Sequence, residues 1–208
     1  MSTLVLVRHA QARPFEKNSD CLSEAGEQQA IRLGEYWREH NIRFDEVYTG
    51  AMLRHTRTAE LAGFEKFEQR AEFNEYNADG ILHALPEFVP SADNRQLQRA
   101  FETAMPRWIA GTLGAPGLET WREFHDRVTR GLRAIIDADR ASRRVVVFTS
   151  GGPIGIAVQT VLQAPEAAAI ELNWRIRNCS LTEFLFTRDR VSLDTFNGTP
   201  HLKEVTFR

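Results

Sequence analysis

The sequence predicts an α/β fold built on a parallel sheet, from three observations. Leu4-Val5-Leu6-Val7 and Val145-Val146-Val147-Phe148 are each runs of four apolar residues bounded by polar ones, as expected of strands buried on both faces in a helix-covered sheet. Each run ends in a polar turn and then changes to helical spacing. A third strand-turn-helix unit, Glu46 to Thr49 followed by Gly50, lies between them. With 208 residues and 42% hydrophobic content, the chain can bury a sizeable core as one domain.

The elements follow in order. After the first strand, polar Gln11 to Asp20 reads as a loop, and Ser23 is an N-cap with Glu24 and Glu27 in the turn behind it. The helix it opens runs to about His40, with Ala30, Leu33, Gly34 and Trp37 as its apolar stripe. The strand Glu46 to Thr49 turns at Gly50 into a helix that carries Arg54, His55 and Arg57 in its first turns and stops near Gly63. From Phe64 to Pro90 no period persists, so this stretch is placed outside the core. Arg95 to Ala110 recovers helical spacing, with Pro106 positioned to shorten or kink it. Thr120 and Glu123 form a capping box ahead of the longest apolar stripe in the chain, Trp121 to Ile136. Beyond the strand Val145 to Phe148, Pro153 suits the first position of a helix. Backbone N–H groups at Ser150, Gly151 and Gly152 would then face an anion. A helical piece after Pro165 precedes a hairpin of Ser180 to Phe186 and Val191 to Phe196.

Composition removes several classes of function. Lys+Arg of 26 against Asp+Glu of 28 gives a formal net charge of -2, so no basic field points to nucleic acid or a membrane surface. No apolar run is long enough to span a bilayer. Cys21 and Cys179 cannot build a disulfide framework or a four-cysteine zinc site, and the six histidines show no H-E-x-x-H spacing. The expectation is a cytoplasmic protein with no metal and no cofactor. Oligomeric state is not written in the sequence.

In a parallel sheet the carboxyl ends of buried strands meet at one edge, where ligands bind. Arg8, His9, Arg54 and the Ser150 turn would then surround one phosphoryl group. A neutral imidazole can attack phosphorus while guanidinium groups hold the other oxygens and offset their charge.

These residues also carry a family resemblance. Leu6-Val7-Arg8-His9 followed by Leu22-Ser23-Glu24-Ala25-Gly26-Glu27-Gln28-Gln29-Ala30 resembles the opening of the histidine phosphatase superfamily, also called phosphoglycerate-mutase-like. Val47-Tyr48-Thr49-Gly50, running into Arg54-His55-Thr56-Arg57-Thr58-Ala59, is similar to its second motif, and Val145 to Ile154 takes the place of its last. The resemblance implies a three-layer α/β/α sandwich with a mostly parallel central sheet, one domain over residues 1–208 and a lid inserted at 64–117. It implies phosphoryl transfer through a phosphohistidine on His9, with Arg8 and Arg54 as the phosphate clamp and a small phosphorylated metabolite as substrate. The family's general acid is a carboxylate from the excursion. Glu75 in Asn74-Glu75-Tyr76 matches that position, with Glu72 and Asp79 as rivals.

Two departures stand out. Ala10 replaces the glycine that follows the motif's histidine. Ser150 stands where the family has its second histidine, whose donor role would fall to the serine hydroxyl and neighbouring N–H groups such as that of Gly151, or to a relocated donor: His55, His83 or His201. The expected function is a phosphomonoesterase. A catalytically impaired phosphate-ester-binding or scaffold protein is the alternative, and a phosphomutase a further one.

Overall fold

A computed structural model describes residues 1–13, 20–90, 94–138 and 142–207. Its centre is β1 (Ser2–Arg8), which pairs in parallel with β4 (Arg144–Thr149) on one side and antiparallel with β5 (Leu181–Phe186) on the other. With β2 (Glu46–Thr49), β3 (Glu68–Gln69) and β6 (Val191–Gly198), the sheet has six strands in the order β3-β2-β4-β1-β5-β6. The β2–β3 and β2–β4 pairs are parallel, and β5 pairs antiparallel with both its neighbours. The sheet is therefore mixed and mostly parallel.

Side chains on the two central strands alternate between two cores, as the pleat requires. Leu4, Leu6, Val145 and Val147 enter one, while Val5, Val7, Val146 and Phe148 enter the other. Helices α1 (Glu24–Glu39) and α2 (Leu53–Leu61) cover the second face, burying Ala30, Leu33, Trp37 and Ala59. The first face is covered by α3 (Ala78–His83), α4 (Asn94–Ile109), α5 (Trp121–Ile136), α6 (Gly151–Leu162) and α7 (Ala167–Asn173). The result is the three-layer α/β/α arrangement.

Local signals set the helix starts. Ser23 Oγ accepts from Gly26 N and caps α1, and Thr120 and Glu123 make both halves of the capping box of α5. Pro106 lies inside α4 without ending it. Two expectations fail. The stretch 64–90 does not stay out of the core, because β3 extends the sheet and Phe73, Tyr76, Ile81, Leu82 and Leu85 are buried in the core shared with α5 and α6. Its pieces, a two-residue strand, a 3₁₀ turn at Ala71–Phe73 and a six-residue helix, are each too short to establish a hydrophobic period. Pro153 is the third residue of α6 and not the first. A proline is tolerated there because N–H groups throughout the first turn have no intrahelical partner to lose. The loop expected at Gln11 to Asp20 lies partly outside the described residues, at 14–19.

Candidate active site

Strand register brings the site together. Arg8 pairs with Thr149, and Thr49 lies opposite Phe148, so the carboxyl ends of β1, β2 and β4 reach the same edge. His9, Gly50 and Ser150 are the next residues along each strand. Their backbones are tied across the edge: the His9 amide donates to Thr149 O at 2.8 Å and the Gly50 amide to Phe148 O at 2.9 Å. From this edge the chain after β1 and β2 leaves for the α1/α2 face, and after β4 for the opposite face. Divergence of that kind opens a crevice between the strand ends.

His9 is 7% exposed. Its Nδ1 lies 2.8 Å from Ala10 O, and since a carbonyl only accepts, Nδ1 carries the proton and Nε2 keeps its lone pair. Burial, followed by the charges of Arg54 and Arg8 and the neighbouring His55, pushes the His9 pKa well below that of a free imidazole. The ring is neutral at neutral pH, the form able to act as a nucleophile.

The two expected clamp cations adjoin it. Arg8 is 6% exposed and donates through Nη1 to Ile176 O. Arg54 Nη1 donates to Asp20 Oδ1 at 2.7 Å, and Asp20 Oδ2 accepts the Leu53 amide at the start of α2 at 2.8 Å. Asp20 thus fastens both the helix and its arginine, while the buried Arg54 Nε has no hydrogen-bond partner among the described residues.

Of the three carboxylates considered, Glu75 reaches the turn after β4. Its Oε2 accepts from the Gly152 amide at 3.1 Å, whereas the Asp79 side chain is 84% exposed and paired with His83 at 3.4 Å. The Gly152 N–H is therefore taken by Glu75 and does not face an open anion site. Gly151 begins α6 with Asn173 packed against it, where an added Cβ would lie 2.0 Å from Asn173 Oδ1.

Ser150 is fully buried, and its Oγ lies 2.7 Å from His55 Nε2. Of the three candidate relocated histidines, only His55 makes this contact. His83 is on the exposed side of α3, and His201 sits near Tyr36 of α1, its pKa pushed down to about 4 chiefly by burial. His55 follows Arg54 directly at the start of α2, so its place at the strand edge was signalled in the sequence. Arg57, by contrast, pairs with Glu27 and Glu60.

Arg127 was not foreseen. Its Nη1 donates to the carbonyls of Glu72 at 3.0 Å and Asn74 at 2.8 Å, and its Nη2 to that of Glu75 at 3.4 Å, while Nε and Nη2 hold Glu119 at 2.6 and 3.0 Å. One guanidinium from α5 therefore fixes the backbone that carries Glu75. Nothing around Arg127 in sequence signals this, because the groups through which it holds the Glu75 segment are main-chain carbonyls more than fifty positions away.

No group of three or more His, Cys, Asp or Glu side chains suited to a metal occurs among the described residues. None of the described helices is long and apolar enough to cross a membrane.

Residues 4–199 match the model of the histidine phosphatase superfamily (branch 1). A search of curated proteins finds no match. Among solved structures, the chain is similar to a phosphoserine phosphatase from Entamoeba histolytica in complex with phosphoserine, with a TM-score of 0.69, 17% identity, and 97% of this chain and 100% of that one covered. It is also similar to a phosphoglycerate mutase from Bacillus anthracis, with a TM-score of 0.68, 19% identity and coverage of 96% and 94%. A mycobacterial glucosyl-3-phosphoglycerate phosphatase matches with a TM-score of 0.66, 20% identity and coverage of 95% and 99%. At these identities the likeness is one of fold.

Proposed function

The chain belongs to the histidine phosphatase superfamily, and we propose that it is a phosphomonoesterase acting on a small phosphorylated metabolite through a phosphohistidine on His9. The observation that carries this reading is the state of His9: Nδ1–H is fixed on Ala10 O, the ring is neutral, and Arg8 and Arg54 are close enough for their charges to lower its pKa.

In this mechanism Nε2 attacks phosphorus and the P–O bond to the leaving alkoxide breaks. Arg8 and Arg54 offset charge on the non-bridging oxygens throughout, as positioned cations do in phosphoryl transfer. Glu75 delivers a proton to the departing oxygen. Its carboxylate then takes a proton from water as that water attacks the phosphohistidine, releasing inorganic phosphate and restoring neutral His9. The structural neighbours that bind phosphoserine or act on glucosyl-3-phosphoglycerate support a small phosphorylated ligand. Ser150, in the place of the family's second histidine, favours a second reading in which the protein binds phosphate esters without turning them over.

The test is hydrolysis of an aryl phosphate in EDTA by wild type and His9→Ala, together with acid quenching to trap labelled phosphoenzyme. Turnover and an acid-labile label in wild type, both lost in His9→Ala, are expected. Equal activity in the two proteins would remove His9 from the chemistry, and ester binding with no label would leave the second reading standing.

A further inference from the structure

We propose that His55 is a positioning residue for phosphoryl transfer: it holds the Ser150 hydroxyl so that its hydrogen points to a phosphoryl oxygen at His9, and Gly50 makes the room for its ring. The inference rests on the His9 reading and assigns the donor that the serine substitution otherwise removes.

The argument begins with the protons. His55 has no exposed surface; Nε2 meets Ser150 Oγ at 2.7 Å, and Nδ1 is buried without a hydrogen-bond partner among the described residues. If Nδ1 carried the proton, a buried N–H would be orphaned, which native structures avoid more strictly than an idle lone pair. The proton is assigned to Nε2, which donates it to Ser150 Oγ: the hydrogen then left to be satisfied is that of the hydroxyl, which can rotate toward an acceptor at the strand edge as a fixed Nδ1–H cannot. The serine oxygen is then the acceptor in that bond, and its own hydrogen stays available to a second acceptor.

Position supplies the acceptor. Ser150 follows Thr149, whose carbonyl receives the His9 amide, and the rings of His55 and His9 lie 5.8 Å apart between centroids, inclined by 36°. His9 is itself nearly enclosed, so a phosphoryl group bonded to it sits deep at the strand edge, within the layer that Ser150 and His55 occupy. His55, its Nε2 engaged by Ser150 Oγ, acts on that group through the hydroxyl.

The room for His55 has been cleared. A Cβ on Gly50 would come 2.1 Å from His55 Nδ1 and 2.9 Å from Phe73 O, contacts that no alanine could make without expelling the ring. Gly50, His55 and Ser150 thus form one arrangement, contributed by β2, α2 and the start of α6. A ring placed only for packing has no need of polar atoms, and one with an idle nitrogen in the core costs stability that an apolar side chain would not. Such local cost beside a nucleophile is where function overrides stability.

The experiment compares Ser150→Ala, His55→Ala, the double variant and His55→Gln, in aryl phosphate turnover and in binding of orthovanadate, a mimic of the five-coordinate phosphoryl state. Ser150→Ala and His55→Ala should each lower kcat by about 10²–10³-fold, the loss typical of one oxyanion donor. Each should also weaken vanadate by at least about tenfold. Because the two act in series, the double variant should be no worse than either single one. His55→Gln, which keeps an N–H near the Nε2 position, should recover most of the loss. Additive losses, or unchanged turnover and vanadate binding in Ser150→Ala, overturn the inference. Where His55→Ala fails to fold, Ser150→Ala, which leaves the imidazole packing in place, decides the matter. If wild type shows neither turnover nor a His9 label, the phosphatase reading fails, and vanadate binding by the same variants still judges the His55–Ser150 pair. If His9-dependent turnover and vanadate binding survive in all variants, the pair alone fails.

Discussion

Replacing Arg127 with methionine separates the placement of Glu75 from its chemistry. The Arg127 side chain is 16% exposed and its partner Glu119 28% exposed, and the guanidinium also lies over the Phe124 ring at 4.7 Å. Methionine keeps much of the packing volume while deleting every hydrogen bond. Breaking a fully buried ion pair by removing one partner costs about 3–5 kcal/mol. The exposure of Glu119 lets water reclaim part of that, whereas the carbonyls of Glu72 and Asn74 lose a charged donor. We expect a net loss of about 2–4 kcal/mol, which at about 2–4 °C per kcal/mol for a chain of this size lowers Tm by roughly 4–16 °C. The catalytic effect should be larger than the stability effect suggests. Once the backbone at 72–75 is free to move, a carboxyl misplaced by about 1 Å can cost about 10²-fold in rate. Thermal denaturation and steady-state kinetics on an alkyl phosphate, run well below Tm, measure the two effects separately. A lowered Tm with wild-type kcat would refute the reasoning and leave the Gly152 contact as sufficient to place Glu75.

Three other outcomes follow from the same geometry. Glu75→Gln can still accept from the Gly152 amide but cannot supply a proton, so kcat on an alkyl phosphate should fall by about 10²–10⁴-fold. The fall in kcat/KM, which reads phosphoenzyme formation, should be much smaller on an aryl phosphate, whose leaving group needs no proton, whereas kcat also includes the water attack that Glu75 assists with either substrate; equal losses of kcat/KM on both would exclude Glu75 as the acid. His9, His55 and His201 all have native pKa values below that of a free imidazole, with His201 near 4. The unfolded chain therefore binds more protons as pH falls below about 6.5. Their contribution to stability is complete above that pH and is lost as pH drops through each native value. Denaturant midpoints should decline below pH 6.5, and the acid limb of kcat/KM governed by His9 should lie below 6.5; a limb at or above it would contradict a depressed His9. Gly50→Ala should displace the His55 ring, costing about 1–3 kcal/mol of overpacking and reducing turnover as Ser150→Ala does. Unchanged kinetics in a folded Gly50→Ala protein would show that the site tolerates a shifted imidazole.

Much of the fold was legible because its signals are local. The continuous apolar runs of β1 and β4, the Ser23 cap and the Thr120–Glu123 box each need only a few neighbouring residues to be recognised. The region after Phe64 was not legible in the same way. Phe73, Tyr76, Ile81 and Leu82 are buried by α4, α5 and α6, elements distant in sequence, and their own short segments carry no period. The start of α6 was misplaced by two residues because a proline fits any position of a helix's first turn, where no N–H has an intrahelical partner.

The candidate site divides along the same line. By itself the sequence determined the strand-end residues Arg8, His9 and Ser150 and the placement of Arg54 at the start of the following helix, because a buried parallel strand delivers whatever comes next to one edge. Only the tertiary structure decided that Glu75, and not Asp79, reaches that edge, that Arg127 holds it there, and that His55 and not His83 or His201 meets Ser150. Those choices depend on contacts between segments brought together by sheet register and helix packing. His55 and Ser150 are 95 positions apart, and no local propensity encodes a hydrogen bond across that distance.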